Sequence, residues 1–545
     1  MHFAGRSNEA ACSDPSAQLL DGGSKPFQFR RTLSLRAIRL YQICEGLTEG
    51  LIYFMVIFGP WAFGTTQRWS IWVMNIAGYM AGVLLFLKLF IRHCRGYRPG
   101  RWNNSTSPTR LLGANRAFSI SKVWTRMLVC VCIMILGYCL IAALNARSYY
   151  VPLSASFDYR SYIKWLPHSY SGQHSWFAFW KYLGMALGFW SIHDWLLGQS
   201  IGEMRAARGA NTEGRGFVQC PLPARLRRLL WLLSINGALV SLVGIIHRVS
   251  GSDKVLWLVK PRIWAGAFGP YNYQSNAAQY LNLVWPMSLG FWWTLRRGAA
   301  WGLRSPGNFG RWGYQLLLPC VMVTALGALL TNSRGGALVA ATCIVAASVV
   351  LLVGRRREGG LVRLGVFLLC MATLLLGLWF GWQRLGPRME QFHLALEARE
   401  SMYKTARLMV QDCPWFGTGP GTFEPLFQLY RGSFDEYWPA QLHNDWLETR
   451  VTFGWLGTGL IVVALFVAVS RWFVGGAGII VGWRFLMLFL VAIGGCLAHA
   501  RFDFPFQVHS ILFLFIVLCA ILSVLTRRSP KGEDPPNQGT RASAV

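Results

Sequence analysis

Windows of about twenty apolar residues recur along the whole chain, and this repetition limits the possible folds more than any other feature. Each window is long enough to cross a hydrocarbon core of about 30 Å as an α-helix. Hydrophobic residues make up 53% of the chain and charged residues 14%, which is unlike a soluble globular protein. The sequence therefore predicts an all-α, polytopic integral membrane protein. The predicted spans are 41–64, 69–91, 125–145, 174–198, 229–249, 276–295, 314–331, 336–354, 362–382, 450–470, 483–500 and 505–526.

These are about twelve spans. The count can differ by one or two, because the segment 314–354 can be divided into helices in more than one way.

The formal net charge of +30 would suit a nucleic-acid partner, but the distribution of the basic residues does not. Basic clusters alternate with nearly neutral loops and fall on one side of the predicted helices. The positive-inside rule places that side, with both termini, in the cytoplasm, where anionic lipid headgroups are further partners. No nucleic-acid role is predicted.

Cysteines and short motifs exclude several other classes. The 13 cysteines lie mostly within apolar spans, and Cys413 alone falls clearly in an outer loop, so no disulfide framework is expected. No zinc spacing, Walker loop or dinucleotide fingerprint occurs. The first forty residues lack the apolar stretch of a cleavable signal peptide.

The outer loops predicted by the same alternation contain one long segment, 383–449, with its own structure. Residues 388–411 have the spacing of an amphipathic helix, with an apolar stripe that includes Met402 and Met409. A Gly-rich turn follows Pro414, and a second helix is expected to run from Pro439 through His443 into the next span. Such a segment can lie over a cavity as a lid.

Arg334 stands in the tight outer turn 332–335 between two apolar stretches. An arginine at a helix end commonly snorkels toward water, and this interpretation stays open. Two features favour a binding role. The residue opposes the positive-inside bias, and Ser333 and its neighbours let backbone N–H groups converge on a phosphate oxygen.

Arg262 lies in the outer loop 250–275, and Asn272 and Asn276 flank the start of the next helix. Amides at a helix N-terminus favour anions and sugar hydroxyls, so both are candidate ligands of a substrate that carries such groups. Alone, Arg262 would be an ordinary loop arginine. Together with Arg334 it supplies two guanidinium forks that can bind phosphate oxygens bidentately.

His443 is a candidate general base, because an unperturbed imidazole titrates near neutrality. A structural or solvated histidine is the alternative. Asp445 is a natural orienting partner, but side chains two residues apart on a helix point about 200° apart. The pair would need a non-helical turn, so no dyad is predicted.

Two other charged groups have less certain roles. In the segment 499–509, an Arg501–Asp503 ion pair that holds a turn is the preferred interpretation. Glu45 and Glu49, one turn apart in the first span, suit either a polar pair inside the bundle or a water-filled cavity.

Four motifs in order, over about 225–465, resemble the O-antigen ligase and O-antigen polymerase superfamily. They are the arginine with G-x-F and N (Arg262, Gly266, Phe268, Asn272), the S-R-G-G turn (Ser333 to Gly336), the P-x-F-G-x-G-x-G-x-F stretch (Pro414 to Phe423) and the H-N-D…G-x-x-G segment (His443 to Gly457). No single motif is specific for this superfamily. The four motifs together are specific, because they occur in this order and on the same predicted side of the membrane.

The resemblance implies a glycosyltransferase-C-like fold in the bacterial inner membrane, with its site facing the periplasm. The donor would be a glycan on undecaprenyl diphosphate and the acceptor a hydroxyl on lipid A-core or another glycan or lipid, in lipopolysaccharide or surface polysaccharide biosynthesis. Arg262 and Arg334 would hold the diphosphate, and His443 would take the acceptor proton. Inversion without a metal ion or cofactor is the family expectation.

The resemblance also gives a domain organisation. The predicted units are a disordered basic cytoplasmic tail (1–40), N-terminal transmembrane helices (41–225), an O-antigen ligase-like domain (226–465) containing the periplasmic loop 383–449, C-terminal transmembrane helices (466–526) and a disordered cytoplasmic tail (527–545).

Other functions stay open at this point. The acceptor could instead be a second glycan, as in a polymerase, or a protein, as in an oligosaccharyltransferase. A transporter of a lipid-linked anionic glycan is the alternative of another class. It should show internal repeats with broken helices in matched positions, and none is visible in the sequence.

Overall fold

The computed structural model describes residues 35–102, 114–151, 156–205, 222–261, 266–300, 313–353, 364–375, 392–432, 440–474 and 479–527, with the single residues 154, 360 and 379. The described helices are α1 (Leu35–Trp61), α2 (Arg68–Arg95), α3 (Ala114–Leu144), α4 (Gly172–Leu197), α5 (Ala224–Ser250), α6 (Gln274–Ala300), α7 (Leu317–Leu330), α8 (Arg334–Leu352), α9 (Leu364–Leu375), α10 (Phe392–Asp412), α11 (Phe423–Tyr430), α12 (Asp445–Val474), α13 (Trp483–His499) and α14 (His509–Val524). Short 3-10 helices lie at Phe63–Thr65 and Gly313–Leu316.

A helical membrane protein is confirmed, since seven of the described helices are long and apolar enough to cross a membrane. They are Leu35–Trp61, Arg68–Arg95, Lys122–Leu144, Ala224–Ser250, Gly313–Leu330, Arg334–Leu352 and Asp445–Phe473. Three shorter apolar helices, α9, α13 and α14, also coincide with predicted spans. Twelve crossings and the glycosyltransferase-C fold stay predictions.

The all-α prediction is confirmed for most of the described chain, which also contains two short pairs of strands. An antiparallel hairpin pairs β1 (Ser148–Val151) with β2 (Ser156–Tyr159), and β3 (Ile479–Val481) pairs in parallel with β4 (Leu525–Arg527). Both pairs lie in segments between or beyond the helices, where the 3.6-residue apolar period that indicated helix is absent. The first helix also begins at Leu35, inside the predicted tail 1–40.

Helix α6 lies at the centre of the bundle and is buried on all sides over most of its length. It packs against α7 and α13 most extensively, and also against α5, α8 and α14. Because no face of α6 meets lipid, it can carry Gln274, Ser275, Asn276 and Gln279 among its apolar residues. These polar side chains place hydrogen-bonding groups at one end of the bundle.

A network of ion pairs lies at the opposite end of the bundle and contains Glu45 and Glu49, for which the sequence left open a polar pair or a water-filled cavity. Lys88 Nζ lies 3.2 Å from both Glu45 and Asp194, and Arg225 also pairs with Glu45. Glu49 pairs with Arg228 at 2.9 Å. Both glutamates therefore bind basic side chains of α2 and α5, which ties α1 to its neighbours.

The predicted lid segment forms a small second core beside the bundle. Helix α10 begins at Phe392, inside the predicted 388–411 helix, and α11 is an element that the sequence analysis did not predict. This core contains Ala406, Met409, Phe423, Leu426, Phe427, Leu442 and Val451, with Met402 packed against it. The apolar stripe is thus confirmed for Met402 and Met409, and it fixes α10 on the chain segment next to His443.

The Gly-rich stretch after Pro414 packs against a kink in α12. Gly454 has φ 61° and ψ −167° inside this helix, and an added Cβ would lie 2.3 Å from Trp415 O. The freed N–H of Trp455 donates to Pro414 O at 2.9 Å. A residue with a side chain would fit neither the conformation nor the space, so glycine is required at this contact.

Candidate active site

His443 lies outside the helix that was predicted to contain it. Helix α12 begins at Asp445, and His443 has φ 56°, in the left-handed region that non-glycine residues rarely adopt. The Tyr403 hydroxyl of α10 donates to His443 O at 3.0 Å and helps to hold this conformation. Strained backbone of this kind occurs preferentially at functional sites.

The imidazole of His443 pairs with Asp503, and not with Asp445. Its Nδ1 lies 3.3 Å from Asp503 Oδ1, across 60 residues of sequence. Its ring also makes edge contacts with Tyr273 and Phe504 at centroid distances of 6.1 and 4.9 Å. Because an ionised carboxylate only accepts, the neutral form of this imidazole has its proton on Nδ1 and a lone pair on Nε2. Among the described residues Nε2 has no hydrogen-bond partner, and the side chain is 17% exposed.

Asp503 is buried and has several donors around it. Ser275 Oγ donates to Oδ2, and His499 Nε2 lies 3.9 Å from the same oxygen. Burial alone would raise the pKa of Asp503, but the hydrogen bond from His443 and the proximity of His499 outweigh it and lower the pKa below the ordinary value. The carboxylate therefore stays ionised beside the imidazole.

The predicted Arg501–Asp503 ion pair is wrong. The Arg501 side chain is exposed and forms no ion pair with any described residue. The turn that carries Asp503 is held instead by backbone contacts, since the Asp445 N–H donates to Ala500 O at 2.9 Å and to Asp503 O at 3.2 Å. Asp503 is thus free to accept from side chains of other segments.

The S-R-G-G turn joins the same hydrogen-bond chain through Ser333. This residue caps α8, where its Oγ accepts from the Gly336 N–H at 3.0 Å and donates to Ser275 Oγ at 3.1 Å. Gly335 lies directly on the turn before Asp503, because an added Cβ would meet the Phe502 ring at 2.6 Å. A continuous chain therefore runs from Ser333 through Ser275 and Asp503 to His443.

Asp445 has a different role from the one its sequence position suggested. Its Oδ2 accepts from the Phe506 N–H at 2.7 Å and its Oδ1 from Gln507 Nε2 at 3.1 Å. Glu448, one turn later, accepts from the Leu442 N–H at 2.8 Å. The two carboxylates thus hold the segments on either side of the His443–Asp503 pair.

The remaining predicted ligand residues are Arg334, Asn272, Asn276 and Arg262. Arg334 is the first residue of α8, half-buried, and directly follows Ser333. Asn272 Oδ1 and Asn276 Oδ1 are buried without a hydrogen-bond partner among the described residues, which leaves them available to a hydroxyl or amide of a ligand. Arg262 lies outside the described residues.

Arg248 is a neighbour of the site that sequence reasoning missed. It lies in the last turn of α5, and its Nη2 donates to Gln274 Oε1 at 3.2 Å and to Thr331 O at 3.1 Å. These contacts place a guanidinium between the start of α6 and the turn before α8. The sequence feature that could have identified Arg248 is the one that identified Arg334, namely a basic residue at the predicted outer end of a span.

The geometry supports proton transfer beside a group of arginines. A histidine with a free Nε2, oriented by an ionised aspartate, can act as a general base. Arg334 and Arg248 can stabilise negative charge nearby. Across the part of the chain that the structure describes, no group of three or more His, Cys, Asp or Glu residues is arranged to hold a metal ion.

Residues 319–462 match the O-Antigen ligase family. The match supports the resemblance to the O-antigen ligase superfamily and contains Ser333, Arg334, His443 and Asp445. It begins later than the resemblance suggested, so Arg262, Asn272 and Asn276 fall before it. No curated protein matches the chain. The chain is thus a multi-pass membrane protein of which residues 319–462 are similar to the O-Antigen ligase family.

Proposed function

We propose that this protein, through its O-antigen ligase domain, transfers a glycan from undecaprenyl diphosphate to an acceptor hydroxyl at the periplasmic face of the inner membrane. The hydrogen-bond chain from Ser333 to His443 carries the proposal. It links two of the motifs, at Ser333 and His443, through Ser275 and Asp503, and it ends on an imidazole with an available Nε2.

In the proposed reaction, His443 Nε2 accepts the proton of the acceptor hydroxyl while its oxygen attacks the anomeric carbon of the donor glycan. Asp503 keeps the Nδ1 proton in place and stabilises the imidazolium that forms. The bond between the anomeric carbon and the diphosphate oxygen breaks with inversion of configuration. A general base in reach of its proton typically contributes about 10²–10⁴-fold to the rate.

The leaving group is undecaprenyl diphosphate, which gains negative charge as the glycosidic bond breaks. Arg334 and Arg262 hold this diphosphate, because fixed guanidinium groups in a water-poor site stabilise developing charge. Asn272 and Asn276 bind the glycan, because their unpartnered Oδ1 atoms can accept hydrogen bonds from sugar hydroxyls. The reaction requires neither a metal ion nor a cofactor.

The test is transfer by the purified protein in lipid vesicles. An undecaprenyl-diphosphate-linked glycan is supplied with lipid A-core, with a second donor glycan, with an acceptor protein, or with no acceptor, alongside His443→Ala. Product with one acceptor and none with His443→Ala supports the proposal and identifies a ligase, a polymerase or an oligosaccharyltransferase. Movement of glycolipid across the bilayer without product would instead show a transporter and overturn it.

A further inference from the structure

Two side chains of α10 contact the backbone of both segments that carry the His443–Asp503 pair. The Tyr403 hydroxyl donates to His443 O at 3.0 Å, and Arg399 Nη1 donates to Phe502 O at 3.2 Å. Phe502 directly precedes Asp503, so each contact lies on one member of the pair or next to it. The partners are 40 and 103 residues apart in the chain, and no local pattern predicts these contacts.

The two side chains lie on one face of α10, because residues four apart in an α-helix are neighbours on its surface. This helix packs into the second core, in which Ala406 and Met409 are buried. The ring of Tyr403 packs against the same core, while its hydroxyl reaches His443. The packing of the outer loop therefore determines where the Tyr403 hydroxyl and the Arg399 guanidinium lie.

The His443–Asp503 pair needs support from its surroundings. Nδ1 and Oδ1 are 3.3 Å apart, at the long end of hydrogen-bond distances, so a small displacement of either segment would break the contact. His443 also has φ 56°, a conformation that costs free energy and persists only where surrounding contacts hold it. A charged guanidinium binds an acceptor more strongly than a neutral donor does, so Arg399 is well suited to hold the turn at Phe502.

We propose that Arg399 and Tyr403 are positioning residues of the active site, which hold the Asp503 turn and the His443 segment in the orientation that proton transfer requires. The inference rests on the proposed glycosyl transfer, and it gives a role in catalysis to the helix that the sequence suggested as part of a lid. The alternative is that the two contacts only attach α10 to the bundle. Their loss would then lower stability and leave the rate of the folded protein unchanged.

The first experiment compares Tyr403→Phe with Tyr430→Phe in the full-length protein in lipid vesicles. Tyr430 is the matched control, because it packs against the same second core and its hydroxyl donates to Asp412 Oδ2 at 2.8 Å, and not to a catalytic segment. Each change removes one hydroxyl and keeps the ring, so both should lower the Tm by a similar small amount. Only Tyr403→Phe should lower kcat, by about tenfold, with KM for the donor within about twofold. Equal kcat values would overturn the role of Tyr403.

The second contact is tested with Arg399→Met and Arg399→Lys, and Arg407→Met is the control on the same helix. Arg407 is exposed and pairs with Glu400 at 3.1 Å. Arg399→Met should lower kcat by roughly 10- to 100-fold, and Arg399→Lys should recover part of that loss, because an amine can still donate to Phe502 O. Arg407→Met should retain kcat. A donor KM that rises while kcat stays unchanged would show that Arg399 binds the substrate, and would overturn its positioning role.

A double variant separates positioning from a general loss of structure. Groups that act as a unit have non-additive effects on the rate. In Arg399→Met/Asp503→Asn the pair that Arg399 holds is already broken, so kcat should fall little below that of Asp503→Asn. Two losses that multiply in full would contradict the inference.

Hydrogen–deuterium exchange gives a readout that does not depend on turnover. The Asp445 N–H donates to Ala500 O and Asp503 O, so it joins the two segments. Its exchange should be faster in Tyr403→Phe and Arg399→Met than in the unaltered protein, and unchanged in the two control variants. Unchanged exchange in both α10 variants would overturn the inference even if the unaltered protein made no product. Absence of product with the expected exchange would instead defeat only the proposed function.

Discussion

His443 Nδ1 and Asp503 Oδ1 lie 3.3 Å apart although 60 residues separate them in the chain. The histidine belongs to the segment before α12, and the aspartate to the turn between α13 and α14. Their contact turns a loop histidine, which alone has many possible roles, into an oriented imidazole with a free Nε2. This relationship is the basis of the predictions about activity.

Replacing Asp503 with Asn should lower kcat by about 100-fold or more. The amide would donate to Nδ1 or leave it unpaired, so the imidazole would lose both its tautomer and the charge that stabilises its protonated form. Steady-state transfer kinetics measure the effect. Asp158→Asn, on the exposed β2 strand and paired with Arg160, is the matched control and should retain activity. Equal activity of both variants would remove Asp503 from the mechanism.

The ionised Asp503 should also contribute to stability in a pH-dependent way. Its pKa is lowered in the folded protein, so its contribution is fully present above the unfolded carboxyl pKa of about 3.9 and is lost as pH falls through the lower folded value. The Tm difference between the unaltered protein and Asp503→Asn should therefore shrink as the pH drops below about 4. A difference that grows toward acid pH would show that the sign is wrong.

Arg334→Ala and Arg262→Ala should each reduce transfer by roughly 10³-fold while the protein still inserts into the membrane. Each change removes a fixed positive charge from the site of the leaving diphosphate. Transfer by Arg334→Lys should lie between that of the unaltered protein and that of Arg334→Ala, because lysine keeps the charge but lacks the bidentate fork. Product formation is measured together with the amount of membrane-inserted protein. Near-normal transfer by either alanine variant would eliminate that arginine from the site.

Gly335→Ala should disturb the site without removing any functional group. The new Cβ would lie 2.6 Å from the Phe502 ring and 3.3 Å from His499 Nε2, so the turn that carries Asp503 must shift. We expect kcat to fall by about tenfold or more with little change in KM. Gly137→Ala in α3 is the control, since nothing lies within 4 Å of its added Cβ. Equal activity of both variants would contradict this prediction, because it would show that the turn tolerates the new Cβ without misplacing Asp503.

Asp194→Asn should destabilise the protein at the end of the bundle away from the site. Asp194 lies 2.6 Å from Arg92, 2.9 Å from Arg101 and 3.2 Å from Lys88. The change therefore removes the carboxylate with which Arg92 and Arg101 pair and leaves the buried Lys88 with Glu45. Breaking a buried pair costs about 3–5 kcal/mol. Thermal unfolding in detergent should show a lower Tm, whereas Glu400→Gln, in the exposed pair with Arg407, should not. An unchanged Tm would mean that the network is not a stabilising element.

The sequence alone determined the protein class and the motif residues. Twenty-residue apolar windows and alternating basic loops depend only on local composition, and the seven described helices of membrane-spanning length occur at predicted spans. Ser333, Arg334 and His443 were identifiable for the same reason, because each belongs to a short motif at a predicted helix end.

Only the tertiary structure decided which of these residues act together. Asp503 was assigned to Arg501, two residues away, since nothing local shows that α13 and α14 pack beside α6 and α12. Asp445 lies only two residues from His443, but His443 has a left-handed backbone and its imidazole pairs with Asp503. Local sequence patterns determine where helices form. The pairing of side chains such as His443 and Asp503 depends on how distant helices pack against each other, which no local pattern shows.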